Sequence, residues 1–165
     1  MNRRSYLAVI GLTTGGCLTK ADQPSARPFG EKQHRDNIAM AAEDVTTTTC
    51  IEIEGTTIEP TNSDRFGLVR FWAQNLVDGQ RQLPLTTETT LTIGDKEYTM
   101  ARPEGIEEWN RLYEGGNVGP GVIRHGFVPF EVDGDHSERT VQFTIPSTAG
   151  NFKADVLWEL TSSRA

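Results

Sequence analysis

FKADVLWEL, residues 152–160, carries the clearest period-two pattern in this chain. Every second side chain is apolar, and the five would share one face of an extended strand: Phe152, Ala154, Val156, Trp158 and Leu160. Such alternation is typical of a strand that buries one face and exposes the other. The stretch therefore predicts a β-strand whose larger side chains enter a hydrophobic core.

The same pattern recurs in earlier segments bounded by turn-forming residues. The other alternating sets are Val45, Thr47, Thr49, Ile51 and Ile53; Val69, Phe71 and Ala73; Leu91 and Ile93, joined to Tyr98 and Met100 by a Gly94-Asp95 hairpin; Val128, Phe130 and Val132; and Val141, Phe143 and Ile145. Pro129 predicts an edge position or a bulge in its strand. Six or seven short strands with Gly- and Pro-rich turns predict an all-β fold, an immunoglobulin-like antiparallel β-sandwich.

One segment has helical spacing. Pro103 suits the first turn of a helix, and the chain then places Ile106, Trp109 and Leu112 three residues apart before Gly115-Gly116 ends the pattern. The sequence therefore predicts one short helical insert between strands.

The amino-terminal residues have the layout of an export signal. Arg3 and Arg4 precede an apolar stretch from Tyr6 to Leu12, which is too short to span a bilayer, and small residues then lead to Cys17. The paired arginines resemble a twin-arginine leader. Gly15-Gly16-Cys17 resembles the lipobox of prokaryotic lipoproteins, in which the cysteine thiol accepts a diacylglyceryl group.

These resemblances imply a division of the chain into three parts. Residues 1–16 are the expected signal segment, residues 17–44 a lipid-anchored flexible tether, and residues 45–165 the sandwich domain. The tether is expected because residues 18–44 are polar and broken by Pro24 and Pro28, although a short helix from Gln33 to Ala42 is an alternative for part of it. The expected location is the extracytoplasmic side of the cell membrane, with lipid on Cys17 as the anchor.

The charge balance bears on possible partners. The chain has 16 Lys and Arg against 23 Asp and Glu, a net charge of −7, and removal of residues 1–16 would make it −9. An acidic surface repels phosphates, so nucleic acid is not an expected partner. Once Cys17 is lipidated, Cys50 has no intramolecular disulfide partner and is either free or paired between molecules.

The carboxyl half also resembles a known family of domains. The segments that carry the resemblance are Leu68 to Asn75, Gly94 to Tyr98, and Gly126 to Val132. They are similar to segments of secreted prokaryotic domains of unknown function with a telokin-like immunoglobulin fold. The resemblance implies a sandwich across roughly residues 45–161, often found on lipoproteins, and implies no activity.

Two residue sets have the chemistry to bind a metal ion. Asp133, Asp135 and Glu138 offer carboxylate oxygens in one loop, which suits calcium weakly because the spacing of a full calcium loop is missing. Cys50, His34, His125 and Met100 include the ligand types of a blue-copper site, although no histidine follows Cys50 at close spacing. Neither set is sufficient to assign a cofactor, and none is predicted.

The remaining candidates concern recognition. No serine or histidine lies in a recognisable catalytic setting, so no catalytic residue is assigned and an enzyme is not predicted. Arg70 and Trp72 would lie together on the face opposite Val69 and Phe71, and these residue types are favoured at binding hot spots. The sequence thus predicts a binding or accessory module whose partner is another envelope protein or a glycan. The alternative hypothesis is a small exported metal-binding or redox protein.

Overall fold

The computed structural model describes residues 25–134 and 139–160. Thirteen strands lie within these residues: β1 Arg27–Pro28, β2 Gln33–Arg35, β3 Ile38–Thr48, β4 Ile51–Ile53, β5 Thr56–Ile58, β6 Arg65–Asn75, β7 Arg81–Leu83, β8 Thr90–Ile93, β9 Lys96–Thr99, β10 Gly116–Val118, β11 Ile123–Val132, β12 Val141–Ile145 and β13 Val156–Leu160. Two short 3₁₀ helices, Ile106–Glu108 and Ser147–Ala149, interrupt the connections.

Two sheets form an immunoglobulin-like β-sandwich. One sheet has the strand order β1-β13-β12-β8-β9 and the other β11-β6-β3-β2. All pairs within them are antiparallel except β1 with β13. The ribbons β7–β10 and β4–β5 complete the pairing.

The main core lies between the inner faces of the two sheets. The predicted inward sets are confirmed: Val69, Phe71 and Ala73; Val128, Phe130 and Val132; and Val141, Phe143 and Ile145 are all fully buried. The ring centroid of Phe71 lies 4.8 Å from that of Tyr113 and 5.9 Å from that of Trp158, both in edge-on contact. Aromatic rings prefer particular packing angles such as this edge-on contact, so these rings help to set the relative position of the two sheets.

A second, smaller core lies on the outer face of the four-stranded sheet. Phe66 and Leu68 of β6 point to this face and are covered by the β4–β5 ribbon and by the segment around Trp109. The complete cluster contains Ile51, Ile53, Ile58, Phe66, Leu68, Ile106 and Trp109, with Leu112 and Phe127 packed against it. The outer face is therefore covered at this end of the sheet.

The turn and edge signals read from the sequence are confirmed. Gly94 has φ +64°, a conformation that favours glycine, at the tip of the β8–β9 hairpin. Pro129 lies in β11, an edge strand of its sheet. Its carbonyl accepts a bond from Ala101 N on the side away from β6, so its missing N–H costs no bond of the β11–β6 ladder.

Two predicted strands have different limits. The run from Val45 to Ile53 is not one strand, because β3 ends at Thr48 and β4 begins at Ile51. Thr48 Oγ1 donates to the carbonyl of Cys50 at 2.9 Å and stabilises the break. The strand predicted from Phe152 begins only at Val156.

The prediction of a flexible tether through Asp44 is wrong for residues 27–44. β1 and β2 pair with the two sheets, and β3 begins at Ile38 and lies beside β6 in the sheet centre. The alternative helix from Gln33 to Ala42 is also wrong. The segment 38–42 is apolar on both faces, because Ala39 and Ala41 fill outer-face positions, so the period-two signal is absent from it.

The predicted helical insert shrinks to one 3₁₀ turn, Ile106–Glu108. Gly105 before it has φ +88°, and Trp109 after it is already extended. Trp109 and Ile106 are buried, but the segment packs flat on the sheet as an irregular covering. Ile106 and Trp109 are thus both buried because a 3₁₀ turn is followed by an extended segment. Apolar residues three positions apart fit this arrangement as well as they fit a helix, so the spacing alone does not distinguish the two.

Candidate functional site

The outer face of the four-stranded sheet is open at the end opposite the second core. Strand register places three rows of side chains there: His34, Ala39, Gln74 and Ile123; Ala41, Trp72 and His125; and Asp44, Arg70 and Phe127. Residues directly opposite one another in antiparallel strands share a face, so these side chains form one surface. Arg70 and Trp72, the predicted binding residues, lie in its centre.

A groove with a volume of about 560 Å³ runs across this surface. Its lining consists of Glu43, Arg70, Trp72, Asn110, Arg111, Ile123, His125, Gly126 and Phe127. We call it the Trp72 groove. The volume lies within the range of small-ligand sites, and a mixture of aromatic and charged lining is typical of recognition surfaces.

The rim of the groove is held by a close approach of two backbone segments. Phe127 N donates to the carbonyl of Arg111 at 2.7 Å, and Tyr113 N donates to the carbonyl of Phe127 at 2.9 Å. A Cβ atom at Gly126 would lie 2.5 Å from Tyr113 N and 2.7 Å from Arg111 O. Because only glycine leaves that space, Gly126 permits the docking that carries Arg111 to the groove.

Tyr113 anchors the same segment from below. Its ring is buried against Phe71, and its hydroxyl donates to the carbonyl of Pro84 at 3.1 Å. Burial raises the pKa of Tyr113 well above its ordinary value of 10.0, partly offset by the positive charge of Arg124. The phenol is therefore neutral and serves as a fixed donor.

The two arginines of the groove have different electrostatic surroundings. Arg70 lies 3.5 Å from the carboxylate of Asp44 and 3.9 Å from that of Glu43. Both guanidinium groups lie over the ring of Phe127, 4.9 Å from its centroid for Arg111 and 5.8 Å for Arg70, but no carboxylate of the described residues is within salt-bridge distance of Arg111. Arg111 thus presents an unneutralised guanidinium, the kind of group that binds anions.

Aromatic rings form the floor of the groove. Phe127 stacks on Trp109 with centroids 5.5 Å apart, which joins the groove to the second core. Lys32 Nζ lies 5.5 Å from the centre of the Trp72 ring, within the range of a cation–π contact. The groove therefore combines aromatic side chains with the unneutralised charge of Arg111.

A second cavity, of about 570 Å³, lies beside the β9–β11 contact and includes residues 61–63 and 97–104. Glu131 at its edge accepts hydrogen bonds from Thr61 N at 2.8 Å and Asn62 N at 2.9 Å. This carboxylate is thus engaged in holding the loop.

The acidic loop predicted to bind calcium is described only in part. Asp133 pairs with Lys96, and this hydrogen bond holds the pKa of the Asp133 carboxyl below its ordinary value. Asp135 and Glu138 lie outside the described residues. Within 25–134 and 139–160 there is no group of three His, Cys, Asp or Glu side chains placed to hold a metal ion. Calcium binding by this loop stays a prediction.

The structure does not bring the copper-type residues together. His34 pairs with Ala39 near the start of β3, whereas Cys50 lies two residues beyond Thr48, the last residue of that strand. An extended strand of this length separates them by roughly 30 Å. Met100 instead packs against the main core.

The export and lipidation residues Arg3, Arg4 and Cys17 lie outside the described residues. In the part of the chain that is described, no helix has the length and apolarity needed to cross a membrane. Lipid attachment and twin-arginine export therefore stay predictions.

Sequence reasoning identified the centre of the groove but missed its rim. Ile123 and Phe127 lie on the same face of β11 as Pro129, at even distances before it in the sequence. Extending the period-two pattern of this strand toward its start would have predicted both residues. Arg111 carried no signal, because its position depends on the close approach to Gly126.

Comparisons with known proteins support the fold. No protein-family model and no curated protein sequence matches this chain. Among solved structures, the secreted protein MPT63 of Mycobacterium tuberculosis superposes with a TM-score of 0.60 at 14% identity, covering 84% of this chain and 98% of that one. The yjhA protein of Bacillus subtilis gives 0.56 at 15% identity, covering 81% and 99%.

A third similar structure is that of ycdA from Bacillus subtilis, provisionally described as a lipoprotein. Its TM-score is 0.56 at 13% identity, and the match covers 79% of this chain and 38% of that one. At these identities the likeness shows the β-sandwich alone.

Proposed function

We propose that this chain is an extracytoplasmic binding or accessory module, anchored to the membrane through lipid on Cys17, that recognises an envelope partner in the Trp72 groove. The observation that carries the proposal is the convergence of Arg70, Trp72 and Arg111 in one concave surface on the open sheet face. The module acts by binding and has no catalytic role of its own.

The leader motif supports the proposed location. Arg3, Arg4 and Gly15-Gly16-Cys17 provide the export and lipidation signals, and the similar structures include a secreted protein and a provisional lipoprotein. A diacylglyceryl group supplies two acyl chains, enough for stable anchoring where one chain is marginal. A module fixed at the membrane meets its partners at a high local concentration.

Site-specific photocrosslinking in the producing cells tests the groove. The full chain carries p-benzoylphenylalanine in place of Ile123, whose side chain lines the groove and is 52% exposed. A matched variant carries it in place of Leu85, which is 41% exposed and lies outside the groove. We expect a discrete adduct from position 123 that is absent from position 85.

The outcome separates recognition from chance contact. Loss of the position-123 adduct when Trp72→Ala is added would support the groove as the recognition surface. Equal adduct patterns at positions 123 and 85, or none at either, would refute the proposal.

Anchorage is tested by the intact mass of the protein from the membrane fraction, beside a Cys17→Ala variant. We expect a mature chain beginning at Cys17 with a lipid-sized increment that the variant lacks. An unmodified chain that retains Met1 and remains in the cytosol would refute the location.

A further inference from the structure

The edge of β11 beside the Trp72 groove carries unused backbone groups. At Phe127 both the N–H and the carbonyl point away from β6, because they bond to Arg111 and Tyr113. In a strand, the direction of these groups alternates from residue to residue. The N–H and carbonyl groups of His125 and Ile123 therefore also point away from β6.

No described residue occupies that edge. β11 pairs with β6 along its whole length, and on its other side Phe127 bridges Leu112 and Phe130 bridges Met100, with no bridge at residues 123–126. The covering segment stops there because Leu112 N bonds back to Trp109 O at 3.0 Å, which turns the chain away from the edge. Residues 123–125 are all exposed, so two donors and two acceptors are available.

The same edge is flanked by cations. Arg111 lies on the groove face, and Arg124 projects from the opposite face of the strand, where it is paired in register with Ala73. Neither has a carboxylate of the described residues within salt-bridge distance. Charge complementarity therefore favours an acidic ligand.

We propose that the partner presents an extended acidic peptide segment that adds to β11 along residues 123–125. This rests on the proposed function and names the partner class for the same groove. The ligand backbone pairs with Ile123 and His125, and its acidic side chains, at alternate positions, reach Arg111 on the groove face. Strand addition of this kind obtains affinity from main-chain bonds and specificity from side chains at alternate positions.

The test measures binding of a defined peptide to the full chain. The probe is (Thr-Glu)₄-amide with fluorescein on its amino terminus, and binding is followed by fluorescence anisotropy at low salt. Three comparison ligands separate the contributions of charge and of backbone hydrogen bonds to binding. The Thr-Lys peptide reverses the charge, and a peptide with alternate amides N-methylated lacks backbone donors. An oligogalacturonate offers carboxylates on a sugar chain. We expect only the unmodified acidic peptide to bind, with affinity falling as salt rises.

Two protein variants locate the site. His125→Pro removes an outward N–H that makes no bond to β6, so it should weaken binding about tenfold while the thermal midpoint changes little. Arg111→Gln should also weaken binding about tenfold, through loss of a charge-assisted hydrogen bond. Arg102→Gln, an exposed arginine outside the groove, should have no effect.

Each contrary outcome identifies what has failed. Equal binding of the N-methylated peptide would refute strand addition. Binding of the oligogalacturonate alone would refute the peptide and leave a glycan-binding groove. Dimerisation of the full chain that His125→Pro abolishes would identify a second copy as the occupant and refute an acidic partner segment.

If no probe binds while the position-123 adduct persists, this inference fails and the proposed function stands. Without the adduct, both fail.

Discussion

The outer face of the four-stranded sheet differs between its two ends, although the same strands form both. At one end Phe66 and Leu68 are covered by the β4–β5 ribbon and Trp109. At the other end Arg70 and Trp72 of the same strand face solvent in the groove. One face of β6 thus has a structural half and an open half, with Phe127 at the boundary between them.

Truncation of an aromatic side chain should have the largest effect and should separate the two halves. Phe66→Ala removes a fully buried ring and should lower the free energy of unfolding by about 3–5 kcal/mol, because it leaves a cavity. Trp72→Ala removes a partly buried ring that lines the groove and should cost at most about 1.5 kcal/mol. Urea denaturation of both variants measures the difference, and equal losses would mean that the groove belongs to the structural core.

Substitution of Gly126 should disturb the boundary. The Cβ of Gly126→Ala meets backbone atoms of Tyr113 and Arg111, so segment 111–113 must move, at a cost of about 2–3 kcal/mol. Gly119→Ala is the control, because nothing lies within 4 Å of its Cβ position and its φ is not in the left-handed region. A Gly126→Ala protein as stable as the control would show that the close approach is not needed for folding.

Removal of the Tyr113 hydroxyl should have a smaller and pH-dependent effect. Tyr113→Phe loses the bond to Pro84 O and should cost about 1 kcal/mol at neutral pH. The raised pKa of Tyr113 means that the unfolded chain ionises first, above its ordinary value of 10.0. The stability contribution is therefore full below that pH and is lost as the pH rises further.

Urea midpoints across this range provide the check. The wild-type protein should lose more stability than Tyr113→Phe between about pH 9.5 and 11.5. Parallel loss in the two proteins would contradict the buried, neutral phenol.

The smallest effect is expected at the ion pairs of the open half. Arg70→Gln breaks contacts with Glu43 and Asp44 whose side chains are all at least 42% exposed, so the free energy of unfolding should change by under about 1 kcal/mol. Thermal midpoints at low and high salt provide the measurement. A larger loss that salt does not reduce would place Arg70 in the structural half.

The sequence predicted the sandwich and the centre of the groove because both depend on local alternation. Val69 to Ala73 and Arg70 with Trp72 occupy opposite faces of one strand, and period two separates them directly. The prediction from alternation failed at Ile38 to Ala42, because alanines on the outer face leave no polar residue to alternate with the buried ones. It also failed at Arg111, which reaches the groove through a contact between segments distant in sequence.

Asn75, the last residue of β6, closes the sandwich at the open end of the groove. Its buried amide nitrogen donates to the carbonyls of Gly79 at 2.7 Å and Gly119 at 2.9 Å, and its oxygen accepts from Val77 N at 3.0 Å. All of these partners are main-chain groups, so the shape of both loops is imposed without their side chains. The side chains of these loops, beside the groove, can consequently be exchanged without loss of the bonds that hold their backbone.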